Sequence, residues 1–596
     1  MIIQMQKYSF LIYHKEYDAF LQDLQQLGVL HVIEKKNEIS ENIKEKYHLI
    51  DSFNKTIKFL NKREIEQEDC NYDADGLEII KEITQKQNKL ENLKQELAVN
   101  NKELIKVKPW GNFSNKIINK LQEENLFVRF FITSKRKFNS DLLSKYNTKI
   151  INESGNNIYF VIIQQGSEEI DIDAEEIKLP DNSLSEIKKH IKEIEEKITL
   201  INNDFDNYAR TSIPLLNKTS TTISGKSEYE KVILNTVVEA DEKLMILEGW
   251  VPKTKIKQID DFLNSKKILH IKDKATKQDK VPILLINNSF SKLFEPIGKL
   301  FSLPSYNELD LTLFFAPFFM MFFGFCLGDA GYGLLFIIGA SIYKLKAKKE
   351  IKPYLSLIQF LGIATVIFGV ISGTLFGVNL IEADIELFTD YKSMFFNPDN
   401  MLNLSLFLGA TQIIFGMFVK AANRIKQYGF VYSLSTFGWL ILLVGGVIYT
   451  VLSSKGIISE NNAILYIIFS TGGFFILFYS DPEVNILSRI GIGVWDIYST
   501  ITGIFGDLLS YIRLFALGLS SAILGFVIND IAMQILGSAP VIGHIFFVIF
   551  LLLGHTLNIL ISSLGSFVHP MRLTFVEFYK NAGFTGGGKD YKPFSK

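Results

Sequence analysis

An arginine lies inside a long apolar run in the sequence Asp507-Leu-Leu-Ser510-Tyr-Ile-Arg513-Leu-Phe-Ala516-Leu-Gly518-Leu-Ser520-Ser521. The run extends from about Ile501 to Val527, which is long enough for a membrane helix. A guanidinium keeps its proton under physiological conditions, so Arg513 cannot avoid burial by becoming neutral. A charge at membrane depth costs at least about 2.5–3.5 kcal/mol, and such groups usually mark ion pathways. Arg513 therefore predicts an ion-conducting protein; a structural arginine that reaches the interface or pairs with another helix is the alternative.

The chain divides into two halves of different composition. Residues 1 to about 300 are rich in Lys, Glu, Asp, Asn and Ile and contain no apolar run long enough to span a bilayer. From Leu311 onward Phe, Leu, Ile and Gly dominate. The first residues lack the basic start, apolar core and cleavage site of a signal peptide. We therefore expect a cytoplasmic domain over residues 1–300 and a transmembrane domain over residues 301–596.

Charge and cysteine content point to no bound group. The net charge of −1 averages two unlike halves and says little about partners. Cys70 and Cys326 lie far apart and provide neither a disulfide framework nor the spacing of metal ligands. We expect no metal, no cofactor and no nucleic-acid partner.

The cytoplasmic half predicts two α/β lobes joined by a pair of long helices. A strand over Lys7–Tyr13, a helix over Lys15–Leu27 and a strand over Val29–Ile33 form the proximal lobe, expected over residues 1–50 and 230–300. Two more strands, Val232–Val238 and Leu244–Val251, are expected to return to it.

Two segments have the apolar spacing of a coiled coil and are predicted to form an antiparallel stalk. They are Ile79–Val107 and Leu184–Leu216, and their charged faces are solvated surfaces. Between them, strand-like Leu126–Ile132 and Ile158–Ile163 predict a distal lobe over about residues 108–183. No catalytic constellation occurs in this half, so binding or scaffolding is its expected use.

Hydropathy predicts about eight membrane spans. They lie near residues 311–327, 330–345, 355–378, 402–419, 432–452, 463–480, 497–530 and 541–577. Lysines and arginines concentrate in the loops after the second and fourth spans and in the C-terminal tail, whereas Ile381–Asn400 after the third span is acidic, with Glu382, Asp384, Glu386 and Asp390. The positive-inside rule then places both termini in the cytoplasm.

Two glycine-rich segments imitate nucleotide-binding loops. The segment Gly328-Asp-Ala-Gly-Tyr-Gly333 lacks the strand and the Lys-Ser/Thr pair of a phosphate loop, so we predict a tight turn between helices carrying Gly328, Asp329, Gly331 and Gly333. The segment Gly583–Lys589 has the Walker spacing, but Asp590 replaces the required Ser/Thr and too few residues follow for a helix. We therefore expect that this chain binds no nucleotide.

The last two spans are longer than a bilayer requires and carry the polar residues. A helix of about 35 residues is about 50 Å long, against a hydrocarbon core of about 30 Å, so these helices must tilt or protrude. Steps of three and four residues from Arg513 collect small side chains that leave a smooth groove for a neighbouring surface. They are Gly506, Ser510, Ala516 and Ser520.

A polar stripe follows one face of the final span. Steps back from Arg572 collect His569, Gly565, Ser562, Asn558 and His555. Such a stripe is costly against lipid and should face a wet cavity or a partner helix. A seam of hydrogen bonds between helices is one explanation; two imidazoles in register favour a proton-accessible channel.

Several segments together resemble the membrane-embedded stator subunit, called a or I, of V-type and archaeal or bacterial A/V-type rotary ATPases. The matching segments are Leu247-Glu-Gly-Trp-Val-Pro252, Pro304-Ser-Tyr-Asn-Glu-Leu-Asp310, Gly328–Gly333, Leu509-Ser-Tyr-Ile-Arg-Leu-Phe-Ala-Leu-Gly-Leu519 and His569-Pro-Met-Arg-Leu-Thr-Phe-Val-Glu577. The resemblance covers essentially the whole chain. It implies an α-helical polytopic membrane protein with an N-terminal two-lobed α/β domain on an antiparallel coiled-coil stalk. The moderate length and the absence of a long insertion before the last spans favour a bacterial form in the inner (plasma) membrane.

The resemblance also implies residue roles. Arg513 faces the carboxylates of a rotating proteolipid (c/K) ring, forces each to release its ion and prevents a direct leak between two half-channels. Arg572 matches a second intramembrane arginine, and His569 a polar position one turn earlier. The full set of expected ion-translocation residues is Arg513, Arg572, His569, Ser562, Asn558, His555, Ser510 and Glu577. Two positions depart from the family: some members carry glutamate where this chain has Ser562, and Leu311 replaces a proline.

The expected function is therefore that of a non-catalytic stator subunit. The implied partners are the ring, peripheral-stalk E/G-type subunits, a central-stalk C/d-type subunit and the bilayer. A secondary transporter would instead show inverted repeats and broken helices, and no repeat is evident. A purely structural anchor would leave the polar stripe unexplained. The sequence leaves open whether the ion is H⁺ or Na⁺, although His555 and His569 favour the proton, and whether the complex pumps ions or makes ATP.

Overall fold

The computed structural model describes residues 1–35, 40–66, 75–138, 146–166, 172–178, 182–241, 243–276, 279–379, 398–455, 463–538 and 542–595. These residues divide into two compact units. One contains residues 1–14, 29–33 and 238–593, and the other contains residues 15–28, 34–237 and 594–596. The predicted acidic residues Glu382, Asp384, Glu386 and Asp390, and also Cys70, lie outside the described residues.

A mixed set of elements forms the N-terminal half. The strands are β1 Met5–Tyr13, β2 His31–Val32, β3 Leu126–Ser134, β4 Thr148–Ser154, β5 Asn157–Gln165, β6 Glu175–Ile177, β7 Val237–Glu239, β8 Leu244–Pro252, β9 Leu269–Lys274 and β10 Pro282–Ile283. The helices are α1 Tyr17–Leu27, α2 Glu41–Asn61, α3 Gly76–Val107, α4 Asn115–Glu123, α5 Leu184–Thr211, α6 Ile213–Leu234, α7 Ile256–Lys266 and α8 Ser289–Phe301.

The first sheet has the strand order β2-β8-β1-β9, and β7 also pairs with β8. Strand β8 pairs antiparallel with β1 along its whole length, from Met5 opposite Pro252 to Tyr13 opposite Leu244. The expected return of Leu244–Val251 is therefore confirmed. The strand expected at Val232–Val238 is wrong, because Val232 lies in α6 and the strand there is only Val237–Glu239. A short apolar run does not distinguish a strand from the end of a helix.

In the second unit, α3 and α5 pack side by side and run in opposite directions. The Tyr208 hydroxyl donates to Glu82 at 2.7 Å, and Lys86 donates to Asp204 at 2.7 Å. The partner on α5 thus moves from residue 208 to residue 204 as α3 advances from residue 82 to residue 86, so the two helices are antiparallel. The helix expected over Leu184–Leu216 is interrupted: α5 ends at Thr211, and α6 begins at Ile213 with a proline in its first turn. A proline is tolerated there because its missing N–H has no partner in a first turn.

A second sheet in this unit has the order β4-β5-β3-β6. The expected strands at Leu126–Ile132 and Ile158–Ile163 are confirmed as β3 and β5, and they pair antiparallel. Buried Phe131, Phe160 and Ile162 form the core of this lobe.

Apolar helices make up the C-terminal half. They are α9 Thr312–Leu327, α10 Ala330–Lys346, α11 Lys352–Ser372, α12 Pro398–Tyr428, α13 Leu434–Ser454, α14 Ala463–Tyr479, α15 Ile486–Ser538 and α16 Ile542–Arg572, with short β11 Thr374–Leu375, β12 Val378–Asn379 and β13 Lys589–Asp590 and a final turn α17 Tyr579–Asn581. Within the described ranges, five helices are long and apolar enough to cross a membrane: α11, α12, α13, α15 and α16. Helices α9 and α14 are shorter apolar helices.

Several span boundaries differ from the hydropathy estimate; helix α12, for example, extends to Tyr428 rather than residue 419. The third helix ends at Ser372 rather than residue 378, because Gly373 caps it with a positive φ of 70° and a β11–β12 hairpin follows. Helix α15 has 53 residues, and at 1.5 Å per residue it is about 80 Å long. Helix α16 ends at Arg572 and continues as a π-helical turn over Leu573–Phe578.

Close backbone approach holds α9, α10 and α11 together. A methyl group at Gly369 would lie 2.1 Å from the Ala330 nitrogen, and one at Gly324 would lie 2.5 Å from the Ala364 carbonyl carbon. Such contacts are shorter than any real carbon contact, and the clashing atoms are backbone. Small residues at these positions therefore allow the helices to touch, as the small-xxx-small spacing predicts.

We expect Gly369→Ala to destabilise the protein by about 1–3 kcal/mol, the usual cost of overpacking. The matched control is Gly339→Ala on α10, where the added methyl group meets nothing within 4 Å. It should be neutral or stabilising, because alanine favours a helix over glycine. Thermal unfolding of the two purified variants in detergent measures the difference. Equal midpoints would show that the close approach does not contribute to stability.

The glycine-rich tail binds a carboxylate of its own chain. Glu308 is fully buried and accepts hydrogen bonds from the amides of Thr585 at 2.6 Å and Gly586 at 3.3 Å. Gly586 and Gly587 have positive φ values of 69° and 83°, which turn the amides toward one side. The tail then continues into β13, which pairs with β10. The Walker-like segment thus closes on Glu308 in the Pro304–Asp310 motif.

Candidate functional site

The candidate site lies between α15 and α16, which pack antiparallel. Three contacts show the direction: Ile528 contacts Gly554, Leu517 contacts Gly565, and Asp507 contacts Asn581. Rising numbers on α15 therefore match falling numbers on α16 and the turn after it. This pairing brings most of the predicted stripe on α16 against α15, and it divides the polar residues into three groups along the pair.

The first group is a continuous hydrogen-bonded chain that joins α10, α15 and α16. The Ser562 hydroxyl donates to Asn558 Oδ1 at 2.9 Å, and Asn558 Nδ2 donates to the Tyr332 hydroxyl at 2.9 Å. The same hydroxyl lies 2.7 Å from His555 Nδ1, and His555 Nε2 lies 3.0 Å from Asn529 Oδ1. The predicted residues Ser562, Asn558 and His555 are thus brought together. Tyr332 lies between Asn558 and His555, and Asn529 lies at the end of the chain, next to His555.

This chain accommodates both protonation states of His555. The Asn529 oxygen can only accept, so His555 Nε2 carries a proton. In the neutral ring Nδ1 accepts the Tyr332 O–H; in the charged ring Nδ1 donates to the same phenol oxygen. The distances therefore fit either protonation state of His555.

Asp329 positions Tyr332 for this contact. Its side chain is 1% exposed and caps α10 by accepting from the Tyr332 amide at 3.1 Å. It also accepts from the amides of Phe376 at 2.9 Å and Gly377 at 2.8 Å, which fixes the β11–β12 hairpin. The turn is shorter than predicted: Gly328, with a positive φ of 54°, and Asp329 form it, whereas Gly331 and Gly333 already lie in α10. A methyl group at Gly331 would collide with Phe376.

The second group surrounds Arg513. Its side chain is half-buried, and its Nη1 is buried without a hydrogen-bond partner among the described residues. The same holds for His569 Nδ1 on the facing helix. Arg513 lies close enough to act electrostatically on both His569 and the buried Cys326 of α9. A buried guanidinium nitrogen without an acceptor costs free energy.

An exposed face of small residues flanks Arg513. Gly506, Ala516 and Ser520 are exposed in this chain, and Ser510 is half-exposed. Large apolar side chains on the same helix are exposed as well: Phe505 is 64% exposed and Leu509 is 50% exposed. The face is thus an apolar surface with one cation at its centre.

Arg572 differs from Arg513 in its surroundings. It is exposed, at the last α-helical residue of α16, and the π-helical turn begins immediately after it. It lies within electrostatic range of His569 and of Glu577. A π-turn adds one residue to a helical turn and often occurs at functional sites. Here it places Glu577 beside α15.

The third group is a cluster of charges at the other end of the pair. Lys580 Nζ lies 3.0 and 3.2 Å from the two carboxylate oxygens of Asp507, and Asn581 Nδ2 donates to Asp507 at 2.9 Å. Ser510 lies within hydrogen-bonding reach of the carboxylate of Glu577. Predicted residues Ser510 and Glu577 are therefore together, but in a different group from His555 and Asn558.

Unsatisfied polar atoms concentrate in this region. Eight buried side-chain nitrogen or oxygen atoms have no hydrogen-bond partner within the part of the chain that the structure describes, and five of them belong to residues around the α15–α16 pair. They are Gln412 Nε2, Arg513 Nη1, Ser521 Oγ, His569 Nδ1 and Glu577 Oε2. Buried polar groups normally have partners, and ordered water is the usual one where protein groups are absent. Five of the eight atoms without a partner therefore lie in one region of the fold, around Arg513 and Glu577.

Sequence reasoning missed several residues of the site. The sequence patterns place Tyr332 only in the glycine-rich turn, and they do not single out Asn529, Asp507, Lys580 or Gln412. Two of these residues could have been found from the sequence, because Asp507 is a charge within the seventh predicted span and Lys580 is a charge just after the eighth. Gln412 had a weaker one, a polar residue within the fourth span, and its Oε1 accepts from Tyr511 at 2.6 Å. Across the described ranges, no group of three His, Cys, Asp or Glu residues could hold a metal ion.

Comparison with known proteins identifies relatives along the whole chain. The chain is 26% identical over 622 residues to V-type ATP synthase subunit I of Borreliella burgdorferi, with 100% of both chains covered. It is 23% identical over 687 residues to the subunit of the same name from Chlamydia pneumoniae, covering 100% of this chain and 97% of the relative. With A-type ATP synthase subunit I of Methanocaldococcus jannaschii it shares 28% identity over 455 residues, covering 70% of this chain and 64% of the relative.

A family model confirms the resemblance of the sequence motifs. The model of the V-type ATPase 116kDa subunit family matches residues 11–360 and 502–596. These ranges include the first sheet, the paired helices, the Asp329 turn and all three polar groups between α15 and α16. This chain belongs to the V-type ATPase 116kDa subunit family.

Proposed function

We propose that this chain is the membrane stator subunit of a V-type rotary ATPase and that it couples ATP hydrolysis or synthesis to ion transport. It forms two ion half-channels against a ring of proteolipid subunits, and it has no catalytic role of its own. The observation that carries the proposal is Arg513, a half-buried cation whose Nη1 has no hydrogen-bond partner in the described part of the chain and which lies on an exposed small-residue face. Family membership and the names of the relatives support the same role.

Arg513 acts on a carboxylate that another chain supplies. Opposite charges about 4 Å apart attract by about 4 kcal/mol at an effective dielectric constant of about 20. Because about 1.4 kcal/mol is a factor of ten, this attraction favours the ionised carboxylate by about a thousandfold. A ring carboxylate that reaches Arg513 must therefore release its ion. The fixed guanidinium also repels free cations and so separates the two half-channels.

The two outer polar groups form the half-channels. The chain from Ser562 through Tyr332 and His555 to Asn529 belongs to one, because it holds the Tyr332 hydroxyl and the His555 ring, two groups that can exchange a proton, 2.7 Å apart. The Asp507, Glu577 and Lys580 cluster belongs to the other, because it lies beyond Arg513 on the side of the C-terminal tail. His569 and Arg572 lie between them, and Ser510 belongs with the Glu577 cluster. Ions enter one half-channel, travel with the ring and leave through the other.

The remaining assignments concern topology and partners. We place about eight spans in the membrane with both termini in the cytoplasm. The helices α3 and α5 form a coiled-coil stalk with the β3–β6 lobe at its end. That lobe and the β1 sheet bind peripheral-stalk E/G-type and central-stalk C/d-type subunits, which prevents this subunit from rotating with the ring.

Reconstitution tests the function. The complete ATPase complex in liposomes should show ATP-driven ion uptake, and this chain alone in liposomes should show none. Ion uptake or solute exchange by this chain alone would identify a secondary transporter. Repeating the assay with and without Na⁺ distinguishes the two candidate ions, because a sodium-coupled complex loses ATPase activity when Na⁺ is removed.

A further inference from the structure

The carboxylate of Asp507 is held by two donors that differ in mobility. Asp507 is 8% exposed, and Asn581, which is 7% exposed, donates to one carboxylate oxygen at 2.9 Å. Asn581 also donates to the Glu577 carbonyl oxygen at 2.8 Å, so its amide is fixed by two bonds. The second donor is Lys580, whose side chain is 55% exposed, against 10% for that of Asp507. The ammonium therefore has room to move while Asn581 holds the carboxylate in place.

A glycine leaves room for the ammonium. A methyl group at Gly503 would lie 3.2 Å from Lys580 Nζ, which is tighter than an ordinary contact. The lysine side chain thus crosses α15 at Gly503 to reach Asp507, one turn further along the same helix. Any side chain at Gly503 would move the ammonium, and it would leave every charge of the cluster unchanged.

Glu577 supplies a second carboxylate with an open oxygen. It is 3% exposed, and its Oε2 has no hydrogen-bond partner among the described residues. It lies within electrostatic range of Asp507. A buried carboxylate oxygen without a donor is costly, and a cation or its water would satisfy it. Two nearby carboxylates, one of them with an open oxygen, and a serine hydroxyl supply the oxygen ligands that hard cations prefer.

We propose that Asp507 and Glu577 form a binding site for a monovalent cation in the ion path and that Lys580 is its tethered competitor. This inference rests on the proposed function and deepens it. When no transported ion is present, the Lys580 ammonium occupies the Asp507 carboxylate and keeps the buried charge neutral. An arriving cation displaces the ammonium, which swings outward and returns after the ion has moved on to the ring. The ion is H⁺ or Na⁺, and both bind through carboxylate oxygens.

The proposal predicts effects of opposite sign at the two partners. Lys580→Gln removes the competitor, so the apparent affinity for the transported cation should rise. Asp507→Asn removes a ligand charge, so the apparent affinity should fall. Each change should be on the order of tenfold, equivalent to about 1.4 kcal/mol. The other charged groups near the pair are Arg572, Asp496 on α15 and, on α12, Lys420 and Arg424, and they are the same in all variants.

The experiment uses the complete ATPase complex in liposomes. ATP-driven proton uptake is measured against pH in Na⁺-free buffer, and ATP-driven Na⁺ uptake is measured against Na⁺ concentration. Lys580→Gln and Asp507→Asn are compared with Gly503→Ala, which should shift the half-maximal cation concentration in the same direction as Lys580→Gln but less. Gly491→Ala is the matched control on α15, because its added methyl group meets nothing within 4 Å.

Three results would overturn the proposal. If both charge variants shift the apparent affinity in the same direction, or lose equal thermal stability without any shift, the pair is an ordinary structural salt bridge. If no variant changes uptake, the cluster lies outside the ion path. In each case the unmodified complex still pumps, so the proposed function survives. If the unmodified complex does not pump either ion, the proposed function itself fails.

Discussion

Replacing Arg513 by alanine abolishes ion pumping, with a fall of at least about a hundredfold, and leaves the complex assembled. The reason is electrostatic: without the guanidinium, the attraction of about 4 kcal/mol that drives ion release from a ring carboxylate is lost. The separation between the half-channels is lost as well. Assembly should persist, because Nη1 has no partner within the described part of this chain and its removal breaks no internal hydrogen bond there. ATP-driven uptake by the purified complex in liposomes, with subunit content checked on a gel, measures both effects.

The matched control is Arg489→Ala on the same helix. Arg489 donates to backbone carbonyls of Val484 and Pro482, so it serves the start of α15. Its loss should leave pumping within about twofold of the unmodified complex, since a locally bonded surface cation takes no part in transfer. Arg513→Lys adds a second comparison, because it keeps the charge without the planar fork. Normal pumping in Arg513→Ala would contradict the proposed role.

Replacing Asp329 by alanine should prevent stable assembly of the membrane domain. The carboxylate is 1% exposed and accepts hydrogen bonds from the amides of Tyr332, Phe376 and Gly377. Each buried donor left without a partner costs about 1–3 kcal/mol, so the three together remove several kcal/mol, a large part of the stability of an ordinary domain. Tyr332 would also lose the cap that holds its hydroxyl against His555. The yield and the thermal midpoint of the purified subunit in detergent measure the loss.

Two variants separate this effect from a general loss of charge. Asp530→Ala removes an exposed carboxylate of α15 whose only described partner is the Gln534 side chain, and it should change stability by at most about 0.5 kcal/mol. Asp329→Asn keeps one acceptor oxygen but turns a donor toward an amide, so its midpoint should fall between those of Asp329→Ala and the unmodified protein. An Asp329→Ala protein as stable as the Asp530→Ala control would show that the cap is dispensable.

The sequence predicts elements well where periodicity decides them. Apolar spacing over Ile79–Val107 identified α3, and alternating residues with β-branched and aromatic side chains identified β1 and β8. It was less accurate at boundaries: α15 extends beyond its apolar centre at both ends, where Arg489, Asp496 and Asp530 lower the hydropathy although the helix continues. Hydropathy measures the apolar part of a helix, while backbone hydrogen bonds determine its length.

The site was only partly predictable for a different reason. Steps of three and four residues grouped His555, Asn558 and Ser562 on α16, because that pattern follows from helix geometry within one element. The contact between Asp507 and Lys580 joins residues 73 positions apart, and no periodicity connects them. The π-turn after Arg572 also changes the spacing, so Glu577 does not continue the stripe by the same steps. Tyr332 enters the site through a third helix and could be found only from the structure.

Direct contact between Arg513 and the ring is the central claim, and disulfide cross-linking tests it most directly. Ala516 lies on the exposed face one turn from Arg513, so an Ala516→Cys subunit should form a disulfide with a cysteine placed beside the ring carboxylate. Leu345→Cys on α10, 85% exposed but on another helix, is the control for random collision. We predict a cross-link with Ala516→Cys that stops ring rotation and is reversed by reductant. A yield with Ala516→Cys no higher than with Leu345→Cys, in a complex that contains the ring, would contradict the account.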